Sequence, residues 1–411
     1  MVVRGGGWTV QSRWTNHTRE LPKMEFGYFA QCFVPDFGYE NDPDWEAQRI
    51  RDNLEISQLC DRNGFKYIWA SEHHFLREYS HMSSPEVFLS AVASTTENVH
   101  LGSAIFNITA PVNHPVRSAE RAAMIDILSN GRFELGTGRG SSSTEVMGFG
   151  MPGTPRNPAT GLADTEITRG LWDEAIAQIP HMWREGAYSY EGDSFSMPPR
   201  EIFPKPVTKP HPPLWVACGS PGTFEKAGKL GIGVLCFTIG TPDEIAPLIE
   251  IYKNEVASCK TPVGDYVHDN VMCVGFGICL DDREVAIDLA TRSHMYYYQC
   301  LVYRWLDTFP KPDGIPEWPA VIPEPTHEDV RAAIEGGSLC VGNVEDCIHV
   351  SRQYERVGAD QYVISPLTST LPMEVVRETI VNFGKHVIPV IDTDPVHRST
   401  RQRQAALAAT G

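Results

Sequence analysis

From Met24 onward the chain alternates short apolar runs rich in β-branched and aromatic residues with longer stretches of helical period, the pattern of parallel βα units. The apolar runs predict strands at 25–30, 67–71, 100–107, 133–138, 214–218, 232–237, 271–279 and 361–365. Helical period appears between them at 45–63, ending at Gly64, at 115–129, opened by Pro115 and closed by Asn130-Gly131, and at 343–357. Eight such repeats predict an α/β protein, a (β/α)8 TIM barrel. A doubly wound sheet is the alternative. No strand, however, is followed by G-x-G-x-x-G with an acidic residue about 20 residues on, and GTGRGSSS at 136–143 has different spacing.

Two connections exceed ordinary loop length and predict insertions after strand 4 and after strand 7. The first, 141–213, contains MPGTPRNPATG and SMPPREIFPKPVTKPHPP, and the second, 296–325, contains YYYQCLVYRW and PKPDGIPEWP. Long loops on a barrel cover or shape a site, or else pack on the barrel or build an oligomer contact. Residues 1–23 read as an N-terminal extension without fold content, 24–390 as the barrel domain and 391–411 as a loose C-terminal tail.

Charge and cysteine usage narrow the partners. The net charge of −17, without a Lys/Arg cluster, argues against nucleic acid and anionic membranes. Ten cysteines without C-x-x-C or regular spacing fit a reduced set rather than a disulfide framework or a zinc site. With no apolar h-region and no membrane-length apolar run, a soluble cytoplasmic protein is expected.

Candidate chemistry lies at strand ends, where barrels carry their reactive residues. SEHHF at 71–75 places Glu72, His73 and His74 after the second strand, a set suited to proton transfer. Alternation lets only one histidine enter the mouth unless the strand has already bent. A metal would need a third ligand, and a hydrogen-bonded core pair is the plainer alternative. FELGTGRGSSS at 133–143 offers glycines for close backbone approach and Arg139 as a fork for phosphate. WVACGSPGTFEKAG at 215–228 leads small residues into a helix N-terminus, with Ser220 and Thr223 adding hydroxyls. Either alone could be a tight turn; together they suggest a phosphorylated cofactor.

The order MEFGYF, GFKYIWASEHHF, LGSAIF, NHPVRSAERAAMIDILSNGRFELGTGRG and ACGSPGT, with a late GSLCVGNVEDCIHVSRQYERVGADQYVI, resembles the bacterial luciferase family of flavin-dependent monooxygenases, from about residue 24 to about 388. The resemblance implies reduced FMN at the barrel mouth and oxygenation of an organic substrate by O2 through a flavin C4a-peroxide. It implies phosphate contacts from Arg139, Ser220 and Thr223, alongside Cys218 and the Gly219 N–H, with Arg169 as a second phosphate arginine. Ala104 and Ile105 would lie beneath the flavin ring and Asn107 near its polar edge. His73 matches the family's catalytic histidine, with Glu72 and His74 holding it in place. Gly138 stands where true luciferases carry a reactive cysteine, and Gly219 where they carry an acid, which sets this chain apart from the light emitters. Without a dinucleotide fingerprint, reduced flavin is expected from a separate NAD(P)H:flavin reductase, through diffusing flavin.

Tyr296, Tyr297, Tyr298, Tyr303 and Trp305 form an aromatic cluster suited to a hydrophobic or ring-containing substrate, or to ordinary packing. An F420-dependent oxidoreductase of the same fold, a non-catalytic flavin-binding relative and a metal-dependent hydrolase are the competing readings. Helix 115–129, carrying Val116, Ala119, Ala123 and Ile127, is the expected homodimer contact.

Overall fold

The eight expected strands form as β1 (Glu25–Ala30), β2 (Tyr67–Ala70), β3 (His100–Ser103), β4 (Phe133–Gly138), β5 (Leu214–Ala217), β6 (Gly233–Phe237), β7 (Val271–Cys279) and β8 (Gln361–Ser365). This computed structural model describes residues 24–151, 166–237, 240–308, 311–366 and 369–410. The extension at 1–23 and MPGTPRNPATG beyond Met151 lie outside the described residues. Neighbouring strands pair in parallel, and β8 returns to β1 through Glu25↔Gln361 to Tyr28↔Ile364, closing the barrel. The third expected strand is broken: after Ser103 comes a cis peptide at Ala104–Ile105, and Phe106–Asn107 then pairs with the end of β4. A three-residue strand, Cys340–Gly342, lies beside the end of β7.

The helices that precede β8 are α1 (Trp45–Arg62), α2 (Pro85–Thr95), α3 (Pro115–Leu128), α4 (Ser143–Gly148), α5 (Glu166–Met182), α6 (Pro221–Leu230), α7 (Pro242–Ser258), α8 (Arg283–Thr291), α9 (Met295–Trp305), α10 (His327–Glu335) and α11 (Val344–Arg356). The first insertion holds α4, α5 and a two-stranded hairpin, Tyr188–Glu191 with Ser196–Arg200; the second holds α9 and a long irregular stretch. On α3, Val116, Ala119 and Ala123 face the chain's own core, so of the four expected contact residues only Ile127 stays exposed, beside Met124 and Leu128. No described helix is long and apolar enough to cross a membrane. All ten cysteines are unbridged.

Period two divides each strand between two cores. Outward residues such as Phe26, Tyr28, Phe133 and Leu135 join the shell beneath the helices, whereas Phe29, Trp69, Trp215, Leu235, Met272, Val274 and Val363 fill the barrel. At mid-height Trp69 and Trp215 meet edge to face, centroids 5.0 Å apart. They fit because the next strands carry glycine there: a Cβ on Gly102 would lie 2.0 Å from the Trp69 ring, and one on Gly233 2.4 Å from Trp215. Above this floor the inward positions of β2–β5 and their continuations are small: Ser71, Ala104, Gly138 and Ala217.

Below the floor the interior is polar and closed by the C-terminal segment. Residues 391–411, expected to be loose, instead carry a helix, Arg398–Thr410. Its start supplies partners that buried barrel carboxylates require. Glu25 accepts bonds from Lys66 Nζ at 2.7 Å, Tyr67 Oη at 2.7 Å and the Arg398 N–H at 2.9 Å. Glu134 accepts from Trp215 Nε1 at 2.7 Å and Ser399 Oγ at 2.5 Å, with His100 Nδ1 at 2.7 Å. His397 stacks on His100, centroids 3.8 Å apart.

Candidate active site

β2 ends at Ala70, so SEHHF lies in loop rather than strand, and its side chains still alternate. Glu72 and His74 turn to one side, with His74 Nε2 3.2 Å from Glu72 Oε1. His73 turns to the other, its Nδ1 3.1 Å from Glu145 Oε1 on α4. Glu72 therefore holds His74, not His73 as expected. Glu72 Oε1 also accepts from Asn113 Nδ2 at 3.3 Å, and burial pushes the Glu72 carboxyl above the usual carboxylate range. Both histidines keep partial exposure, 15% and 18% of the side chain, while their carboxylate partners are buried. Among the described residues no group of three His, Cys, Asp or Glu is placed to hold a metal ion.

Glu145 is the residue sequence reasoning missed. It occupies the third helical position of α4 after the N-cap Ser142, so S-x-x-E (142–145) has the form of a capping box. Ser142 does cap, accepting the Thr144 N–H at 3.2 Å, but the glutamate leaves that pattern. Its Oε1 accepts the His74 N–H at 3.0 Å besides facing His73, and its Oε2 accepts from the Ser141 N–H at 3.4 Å.

The expected phosphate residues gather at the ends of β4 and β5, which pair side by side. Arg139 Nη1 donates to Thr168 Oγ1 at 2.8 Å, and Arg169 follows in the same turn of α5, exposed. Trp172 Nε1, donating to Thr137 Oγ1 at 3.1 Å, and the 2.7 Å pair Lys226–Asp173 hold α5 against the barrel and α6. After β5, Gly219 and Ser220 donate their N–H groups to Thr223 Oγ1 at 3.2 and 3.1 Å, with Ser220 Oγ 3.3 Å away. Ala217, Gly219 and Ser220 are exposed, so this corner opens to solvent. Cys218 departs from the expectation: its thiol is buried against the Thr223 carbonyl at 3.3 Å, and burial pushes its pKa up. It holds the turn.

Ala104 and Ile105 are partly exposed above the barrel core. A Cβ on Gly138 would lie 2.5 Å from Ile105 Cδ1, so the glycine makes space beside this bend. Asn107 also departs from expectation. Its Oδ1 accepts both the N–H and the hydroxyl of Thr109, at 3.1 and 2.7 Å, which commits that atom to the turn.

The second insertion reaches across to the first. Asp307 Oδ1 accepts the Ser143 N–H at 2.9 Å, and Thr308 Oγ1 donates to the Ser141 carbonyl at 3.0 Å. Beneath this latch an aromatic series runs from His73 to Tyr79, centroids 5.1 Å apart, then to Tyr298 at 5.5 Å and Phe33 at 5.1 Å. Tyr298 is thus a packed wall of the site, and Tyr297 is tied down through its hydroxyl to Glu78.

A family model described as luciferase-like monooxygenase matches residues 24–361. The oxygenase component of a flavin-dependent trigonelline monooxygenase from Acinetobacter baylyi is 28% identical over 257 residues, 62% of this chain and 67% of that protein. The oxygenating constituent of 3,6-diketocamphane monooxygenase from Pseudomonas putida, solved with FMN, superposes with a TM-score of 0.69 at 17% identity, covering 90% of this chain and 98% of that one. An F420-dependent secondary alcohol dehydrogenase gives 0.65 at 16% identity, covering 90% and 99%. At these identities the two structures speak for the fold alone. The chain spans 61%, 67% and 54% of the lengths of the first curated relatives it matches.

Proposed function

The chain belongs to the luciferase-like monooxygenase family, and from that premise we propose that it is the oxygenase of a two-component system. It uses reduced FMN and O2 to oxygenate a hydrophobic or ring-containing organic compound, with reduced flavin supplied by a separate NAD(P)H:flavin reductase. The observation that carries this reading is that one barrel mouth brings together a partly exposed histidine, His73, and an anion-suited corner of Arg139, Ser220 and Thr223. The small residues Ser71, Ala104, Gly138 and Ala217 above the tryptophan floor fit a flat ring, and the space beside Ile105 is one that a Cβ at 138 would fill.

In this reading Arg139 and the Ser220–Thr223 hydroxyls hold the phosphate, aided by the N-terminus of α6. Arg169 adds charge from α5. Ala104 and Ile105 support the ring. Bound reduced flavin supplies two electrons to O2. His73 exchanges a proton with the reacting centre, a task an imidazole performs near neutral pH. The Asp307–Ser143 latch and the aromatic wall exclude water from that exchange, which limits wasteful release of hydrogen peroxide.

The test is rapid mixing of the protein and anaerobically reduced FMN with oxygenated buffer, followed by absorbance. Bound flavin is expected to show an oxidation course distinct from free flavin, and His73→Asn is expected to retain FMN binding while losing product about 100-fold or more. Oxidation as fast as in buffer, together with tight F420 binding, would replace this reading with an F420-dependent oxidoreductase of the same fold. Unchanged product yield in His73→Asn would remove that residue from the mechanism.

A further inference from the structure

We propose that Glu145 is a positioning residue that keeps the proton of neutral His73 on Nδ1 and so leaves Nε2 as the atom that serves the bound flavin. The proposal rests on the reading of His73 as the proton-handling residue. An ionised carboxylate can only accept hydrogen bonds, so the 3.1 Å contact of Glu145 Oε1 with His73 Nδ1 requires the ring proton at Nδ1. Two further contacts fix the carboxylate in place: the His74 N–H on Oε1 at 3.0 Å and the Ser141 N–H on Oε2 at 3.4 Å. The neighbouring pair has the opposite geometry. His74 meets Glu72 through Nε2 at 3.2 Å, so two adjacent imidazoles are presented by opposite nitrogens.

Placement argues that this is more than packing. A glutamate in the third position of α4, after an N-cap serine, would ordinarily turn back to the N-cap N–H. Glu145 instead spans 72 residues of sequence to the histidine. His73 also makes an edge contact with Tyr79, itself stacked on Tyr298 from α9. With Nδ1 held by Glu145 of α4 and the ring packed against Tyr79, the ring has one nitrogen left to offer.

Two readouts test this. In ligand-free protein carrying 15N-histidine, His73, assigned by its loss in His73→Asn, is expected to show the Nδ1–H tautomer, retained in Glu145→Asp and redistributed in Glu145→Gln. With reduced FMN bound, Glu145→Gln is expected to raise hydrogen peroxide release per flavin oxidised by about tenfold. In a His73→Asn background the same change is expected to add nothing, because the glutamate acts through the histidine. An unchanged tautomer in Glu145→Gln, or a full additional effect in the His73→Asn background, would overturn the proposal and leave Glu145 a structural residue of α4. If the tautomer shifts but His73→Asn oxidises flavin as wild type does, the reading of His73 itself fails.

Discussion

Trp69 and Trp215 can form the floor of the mouth only because the strands beside them present hydrogen where other residues present carbon. Gly102→Ala would place a methyl 2.0 Å from the Trp69 ring, and neither a buried indole nor a strand backbone can yield by that distance. A loss of about 3 kcal/mol is expected in urea unfolding of Gly102→Ala. Gly222→Ala, whose Cβ would meet nothing within 4 Å, is the matched control and should unfold near the wild-type midpoint. At this scale the sequence was legible where chemistry is local. SEHHF announced a proton-handling site because three titratable side chains adjoin. Glu145 escaped because its partner lies 72 residues away and its own surroundings spell an ordinary helix start.

Among elements, the strands other than the broken third and the three helices read from their periods came out within a few residues of expectation, since burial on both faces or on one stripe leaves a direct imprint on residue order. The segment after residue 391 left no such imprint. Its polar residues, Ser399 and Arg398 among them, look solvent-bound until the buried carboxylates they serve are known. Burial, then repulsion from His100 once that ring is itself protonated and from the Lys66 ammonium, pulls His397 from the ordinary histidine value, about 6.5, to about 2. Above pH 6.5 the ring is neutral folded or unfolded, and its packing counts in full. As pH falls below 6.5, the unfolded chain takes up a proton that the folded one refuses, so this contribution is lost at up to ~1.4 kcal/mol per pH unit. The stability gap between wild type and His397→Gln should therefore narrow between pH 6.5 and pH 5, measured by denaturant unfolding at each pH. A gap that stays constant would mean that His397 titrates alike in both states.

For the molecule as a whole, eight βα repeats sufficed to anticipate a closed barrel, because few other arrangements bury eight two-faced strands. The outer surface was less legible. Val116, Ala119 and Ala123 serve the chain's own core, and the apolar residues left uncovered on α3 are Met124, Ile127 and Leu128, with Val87 exposed on α2. An apolar stripe of this kind suits self-association, and a homodimer through α2 and α3 is the proposal it supports. Light scattering is expected to give about twice the 45.8 kDa chain mass for wild type and the single-chain mass for Leu128→Asp. A wild-type monomer would refute it.

The lower closure of the barrel carries a further consequence for how the protein is made. Glu25 and the Arg398 N–H that completes its bonding are 373 residues apart. During synthesis the first strand therefore emerges long before its last partner, and all eight strands can be out of the ribosome while the underside still lacks its cover. Until the Arg398–Thr410 helix arrives, two carboxylates and a lysine at the core of the nascent barrel remain wet. The closed underside is then available only to a chain translated past Ser399, and a chain stopped short of that point would leave an almost entire barrel open from below.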